Sequence, residues 1–185
     1  MKKITACLSF LIFSFVSNAQ SFKAGSLIVS ADYGFDVYAT RYREINSYAG
    51  NSGSSTGGAA SGNINLGGEF GVANWLGLGV QFKFDNYLHS DTGTSGIQSA
   101  YGFETGLIVN FHIIRHTHFD FLAGLNIGVS TFTITSNDGY NDQVYGSGNW
   151  DDIHFTARVY AGKFGFNATL YFPIINYPDL TSNNV

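Results

Sequence analysis

Residues 75 to 84 read WLGLGVQFKF and alternate without a break. Leu76, Leu78, Val80, Phe82 and Phe84 share one parity, and Gly77, Gly79, Gln81 and Lys83 share the other. Successive side chains of a β-strand point to opposite faces, so this stretch has one apolar face and one small or polar face. A half-buried strand of a soluble protein turns its apolar face inward. A transmembrane barrel strand turns it outward onto lipid and keeps the polar face on the lumen. The direction of Lys83 therefore decides the fold.

Six further stretches alternate in the same way. SLIVSADYGFDVY sets Leu27, Val29, Ala31, Tyr33, Phe35 and Val37 against Ser26, Ser30, Asp32, Gly34 and Asp36. NINLGGEFGV sets Ile64, Leu66, Phe70 and Val72 against Asn65, Gly67, Glu69 and Gly71. After the opening stretch come AYGFETGLIVNFH, HFDFLAGLNIGVS (with Leu122 as an inward apolar exception), DIHFTARVYAG and FGFNATLYF. Each run is about 9 to 13 residues long, where globular strands average about 5 to 6 and a tilted bilayer-crossing strand needs about 9 to 11. Nothing between the runs has helical period, so the chain is read as all β.

The connections alternate too. Ala73-Asn74-Trp75, Arg115-His116-Thr117 and Gly162-Lys163 are tight turns. REINSYAGNSGSSTGGAASG, NYLHSDTGTSGIQS and SNDGYNDQVYGSGNW are long and polar, and all fall at the opposite end. Short turns at one end and long loops at the other are the pattern of outer-membrane barrels.

The composition fits that pattern. The 185 residues suffice for one domain, with 23 Gly, 17 Phe and 11 Tyr but only 12% charged residues, against about 25% in a typical soluble domain. If every apolar parity faced inward, roughly a dozen Phe and Tyr would crowd a barrel whose interior only just fits side chains. Facing outward they coat lipid, and Gly, Ala, Ser, Asn and Thr fill the lumen. Lys83 is then expected to point into the middle of the protein. The net charge of -4 and the lack of any Lys/Arg run give no nucleic-acid surface.

The N-terminus, MKKITACLSFLIFSFVSNAQ, has a positive start at Lys2 and Lys3 and an apolar run from Leu8 to Val16. Small residues before Gln20 complete a secretory leader over residues 1–19. The apolar run is too short for a membrane anchor. Cys7, the single cysteine, precedes that run, so Ile4-Thr5-Ala6-Cys7 is not read as a lipoprotein box. The mature chain then has no disulfide.

Leader, long alternating runs and asymmetric connections together resemble the small outer-membrane β-barrel proteins of Gram-negative bacteria, the OmpA-like, OmpX-like and OmpW-like eight-stranded group. The resemblance covers the whole mature chain and rests on pattern. It implies an antiparallel up-and-down transmembrane β-barrel in the cell outer membrane, folded as a monomer. Its partners would be outer-membrane lipid, the outer-membrane assembly machinery and an extracellular ligand at the long loops. The group includes structural, adhesive, channel and enzymatic members, so no single activity follows.

Seven strands are visible where an even number is expected. The barrel is read over residues 20–172. Residues 173–185, PIINYPDLTSNNV, with Pro173 and Pro178, are read as an outer loop or cut tail preceding a missing eighth strand.

Four inward charges stand out: Glu69, Lys83, Glu104 and Arg158. Lys83 and Glu104 lie on neighbouring runs and are expected to pair, since an unpartnered buried charge is costly. A plug that fills the lumen is favoured over a gate that opens it. Tyr140, Tyr145 and Trp150 are surface-loop contact candidates for a partner or saccharide. His112, His116 and His118 flank one turn, but only Asp120 could join them, so no metal site is assigned. The Asp/Asn-rich loop lacks EF-hand spacing and is not read as a calcium site. His154 with Thr156 is the nearest approach to a base and nucleophile, with no motif around it. Asn167-Ala168-Thr169 matches a glycosylation acceptor but lies within a strand. The expectation is a non-enzymatic outer-membrane barrel without cofactor, structural or recognising through its loops. The alternative is a soluble periplasmic or secreted lipocalin-like barrel binding an apolar ligand.

Overall fold

Alternation over long runs becomes long strands. The computed structural model describes residues 10–14, 22–46, 51–88, 97–136, 143–161, 164–178 and 180–183. They form β1 (Phe10–Ser14), β2 (Leu27–Asn46), β3 (Asn51–Ala73), β4 (Leu76–Leu88), β5 (Ile97–His116), β6 (Phe119–Ser136), β7 (Gln143–Ala161), β8 (Phe164–Asn176) and β9 (Leu180–Asn183). Each of β1 to β7 pairs antiparallel with the next in one sheet, and β9 pairs with β7. The seven long strands, β2 to β8, make an up-and-down half-barrel.

The parities separate as the alternation predicts. Val29, Phe35, Leu66, Phe70, Val80, Phe82, Phe103, Leu125, Phe155 and Phe166 are exposed on the outside. Asp36, Asn65, Glu69, Gln81, Lys83, Glu104, Asn126 and Arg158 are buried on the inside. Lys83 is only 6% exposed. Two glycines mark how tightly the inner layer is filled: a Cβ on Gly77 would run into the Glu69 carboxyl, and one on Gly124 into His154 and Asn110.

The strands outrun the alternating stretches. β2 continues to Asn46 and β3 starts at Asn51, with Val37 to Ile45 paired to Ser52 to Ala60. Most of the segment read as the first long loop is thus a hairpin extension. Alternation reports a difference between two environments, whereas backbone hydrogen bonds continue a ladder whatever the side chains. The same reason moves Tyr145 and Trp150 from a loop onto β7.

The C-terminal segment also differs from its reading as a loop. β8 passes through Pro173, opposite Asp152, and ends at Asn176. A terminal strand of a ladder tolerates the missing proline N–H. After Pro178, β9 resumes along the outer part of β7, with Leu180 opposite Gly146 and Asn183 opposite Gln143. β1 lies within the stretch read as a leader. It pairs with Asp32 to Phe35 of β2 and also lies beside β8. β2 and β8 run in the same direction and β1 runs opposite to both.

At the short-turn end the chain before β2 folds across the opening. The Gly25 N–H donates to the Gly71 carbonyl (2.7 Å), and the Ala24 N–H donates to Asn74 Oδ1 (3.0 Å). Gly25 has φ of 81°, a left-handed conformation that glycine adopts without strain. This strap carries Phe22 into the lumen, where it is 2% exposed.

Candidate functional site

Among the described residues the strands bring polar and charged side chains together in the lumen, which is layered. Inward parity on each strand supplies a column of polar residues, and the curl of the sheet makes columns from distant strands meet.

The layer nearest the long hairpins centres on Lys83. Its Nζ lies 2.6 Å from Asp36 Oδ2, 2.8 Å from Asp85 Oδ2 and 3.7 Å from Glu104 Oε2. Glu104 is directly opposite Lys83 in the β4–β5 ladder, yet the shorter contacts go to Asp36 and Asp85. Nζ also donates to the Tyr38 hydroxyl (3.0 Å), which donates to Asp36 Oδ2 (2.9 Å). Ser61 donates to Asp85 Oδ1 (2.5 Å) and Ser130 to Glu104 Oε1 (3.1 Å). Above this network Tyr38, Trp150 and Ile175 pack together with Tyr87 and Tyr177 against them. Trp150, read as a surface contact, is 1% exposed and faces into this cluster because its parity on β7 is inward. Tyr145 is on the outward parity and 40% exposed. Tyr140 lies outside the described residues.

The middle layer is built mainly from amides and hydroxyls, with His154, Asp152 and Asp32 among them. Gln81 Nε2 donates to Asn65 Oδ1 (2.6 Å), and Asn126 Nδ2 donates to Gln81 Oε1 (2.9 Å). His154 lies between Asp152 Oδ1 and Asn110 Oδ1, 2.9 Å from each. Both imidazole nitrogens are therefore engaged, and the Thr156 hydroxyl bonds Thr169 (2.9 Å) instead of the histidine. The base and nucleophile considered from the sequence are neighbours without a mutual hydrogen bond. A polar cavity of about 30 Å³ lies here, lined by Asp32, Gln81, His154, Asn167 and Tyr171 among others. It offers room for one or two waters, not for a lipid or a sugar.

The layer at the short turns joins Glu69 to Arg158 across the lumen, Oε2 to Nη2 at 2.8 Å. His112 bridges Glu69 Oε1 and Asp120 Oδ2, 2.7 Å from each. The Phe22 ring stacks on the His112 ring at 3.4 Å between centroids and 7° between planes, and closes the layer from below. His116 and His118, grouped with His112 in the sequence, are exposed on the outside of the turn. Among the described residues no group of three or more His, Cys, Asp or Glu is arranged to hold a metal ion.

All four charges singled out from the sequence thus lie in the lumen, in two separate clusters. Asp36, Asp85, His112 and Asp120 belong to those clusters and were missed as charge partners. The signal for them was parity: Asp85 sits two residues past Lys83, and the other three share the inward parity of their runs. Comparison of the chain with family models, with curated proteins and with solved structures finds no match.

Proposed function

We propose that this chain is a non-enzymatic integral outer-membrane β-barrel, structural or recognising through its long hairpins, with a plugged polar lumen. The observation that carries the reading is the outside surface. Its apolar side chains form a continuous band over all seven long strands, from Leu27 and Val29 on β2 to Phe172 and Ile174 on β8. A water-soluble domain rarely exposes an apolar patch beyond a few hundred Å². On β2 the band runs from Leu27 through Val29, Tyr33 and Phe35 to Val37, ten positions along the strand. That is about 33 Å along the strand, or about 25 Å of height at a tilt near 40°, the expected height of a lipid-facing band. The described residues contain no helix long and apolar enough to cross a membrane.

The lumen supports the plug. Three layers of hydrogen-bonded and ion-paired side chains cross it, and Phe22 covers the turn end. Recognition would then fall to the long-hairpin end, where Tyr145 and Arg41 are exposed. Fractionation tests the reading. The protein should stay with outer membranes through salt and carbonate washes, require detergent for release, and migrate faster on gels before heating than after. Recovery in the soluble periplasmic fraction would overturn it.

A further inference from the structure

The turn end carries an exposed basic rim. Arg115 Nη1 donates to the Asn74 carbonyl (2.6 Å), and the Asn74 side chain accepts from the Ala24 N–H, next to Lys23. Asn74 thereby gathers Lys23 and Arg115, from the strap and from β5, at one turn. Both are exposed, as are His116 and His118 on the next turn. The carboxylates at this end, Glu69 and Asp120, are buried in the lumen and paired with Arg158 and His112. Among the described residues here, no acidic side chain faces outward to offset the rim.

Directly against the rim the apolar band begins. Trp75, 53% exposed, stacks on Phe111 at 6.1 Å and 17°, and Ile113 and Ile114 are exposed beside Arg115. An indole at the edge of an apolar band, with an arginine a few ångströms further out, matches the order of layers in a leaflet: acyl chain, interface, phosphate.

We infer that this rim is a binding surface for the phosphates of anionic lipids in the leaflet it faces. The inference rests on the membrane reading proposed above and adds a lipid class to it. Lys23 and Arg115 supply the charge, and Trp75 sets the depth. Each basic side chain near an anionic surface favours it by about fivefold, and the attraction is screened within a Debye length of about 10 Å at 0.1 M salt.

Trp75 is also the reporter. The chain has two tryptophans, and the other, Trp150, is sealed inside the lumen. The full-length protein would be folded into phosphatidylcholine vesicles containing about one-third phosphatidylglycerol, with bromine on the acyl chains of one lipid at a time. Quenching of Trp75 then measures which lipid surrounds it. At low salt the brominated phosphatidylglycerol should quench several-fold more than its bulk share, and 0.5 M NaCl should return the ratio towards bulk. Lys23→Gln with Arg115→Gln should do the same without salt, while insertion, read from heat-dependent gel mobility, is retained. A bulk ratio in the unaltered protein, or an enrichment untouched by salt, would overturn the inference and leave the membrane reading standing. Absence of quenching by either lipid, together with failure to insert, would overturn both.

Discussion

Lys83 is held by charge on three sides, and that sets what its removal does. Lys83→Met leaves Asp36, Asp85 and Glu104 facing one another in a buried layer, and breaking a buried ion pair by deleting one partner costs about 3 to 5 kcal/mol. Adding a neutral partner change should recover part of the loss. Because Asp85 is 2.8 Å and Glu104 3.7 Å from Nζ, Asp85→Asn should recover more than Glu104→Gln. Urea unfolding of the single and double variants in detergent checks the order. Equal recovery would mean that contact distance does not rank these pairs. Glycines permit a matched test of the inner and outer faces. Gly124→Ala drives a methyl into the His154–Asn110 contact and should cost about 1 to 3 kcal/mol. Gly68→Ala points into open space and should change stability by less than about 0.5 kcal/mol.

At the scale of the element, each strand is a two-sided ribbon whose faces meet different surroundings. Val80 of β4 is outward and 44% exposed, in the middle of the apolar band. Val80→Arg should cost about 2 to 4 kcal/mol in a bilayer, measured by refolding into vesicles, whereas Val80→Leu should be close to neutral. An arginine tolerated there in vesicles would mean that the band does not face lipid. The strap is an element of another kind, irregular and held by a few backbone hydrogen bonds. Phe22→Ala removes the ring stacked on His112, and loss of a buried phenyl costs about 3 to 5 kcal/mol. The variant should unfold at lower urea, and the His112 ring should become reachable by water, seen as faster exchange of its ring proton by NMR. Unchanged stability would mean that the strap is loose in solution.

For the whole molecule, the fate of residues 1–19 decides whether β1 stays beside β2 and β8. If export removes residues 1–19, as the sequence reads, β1 leaves with them, and Asp32 to Phe35 lose their antiparallel neighbour on that side. Mass measurement on protein extracted from outer membranes should give a chain beginning at Gln20. A retained β1 would instead be found at full-length mass, and the leader assignment would fall. The layers of the lumen also join strands far apart in the chain, since Glu69 of β3 holds Arg158 of β7 and Gln81 of β4 approaches Tyr171 of β8 at 3.4 Å. Unfolding should therefore be cooperative, with β3 and β7 losing hydrogen-exchange protection together.

Alternation in the seven runs was enough to read the seven long strands, their order and which face of each is polar, because a period of two is a local property of the backbone; β1 and β9 carried no such signal. Parity also placed Glu69, Glu104 and Arg158 inward. It could not extend β2, β3 and β7 into their hairpins, where polar and small residues occupy both parities and little alternation of residue type is left to read. Nor could it say that Trp150 closes the lumen instead of facing outward, since its stretch reads as a loop, with no parity to assign. Cross-strand neighbours such as Lys83 and Glu104 follow from connecting one run to the next. The partners across the lumen do not. That Lys83 sits closer to Asp36 and Asp85 than to Glu104, and that Arg158 reaches Glu69 from four strands away, depends on the curl and stagger of the sheet, which only the tertiary structure decides.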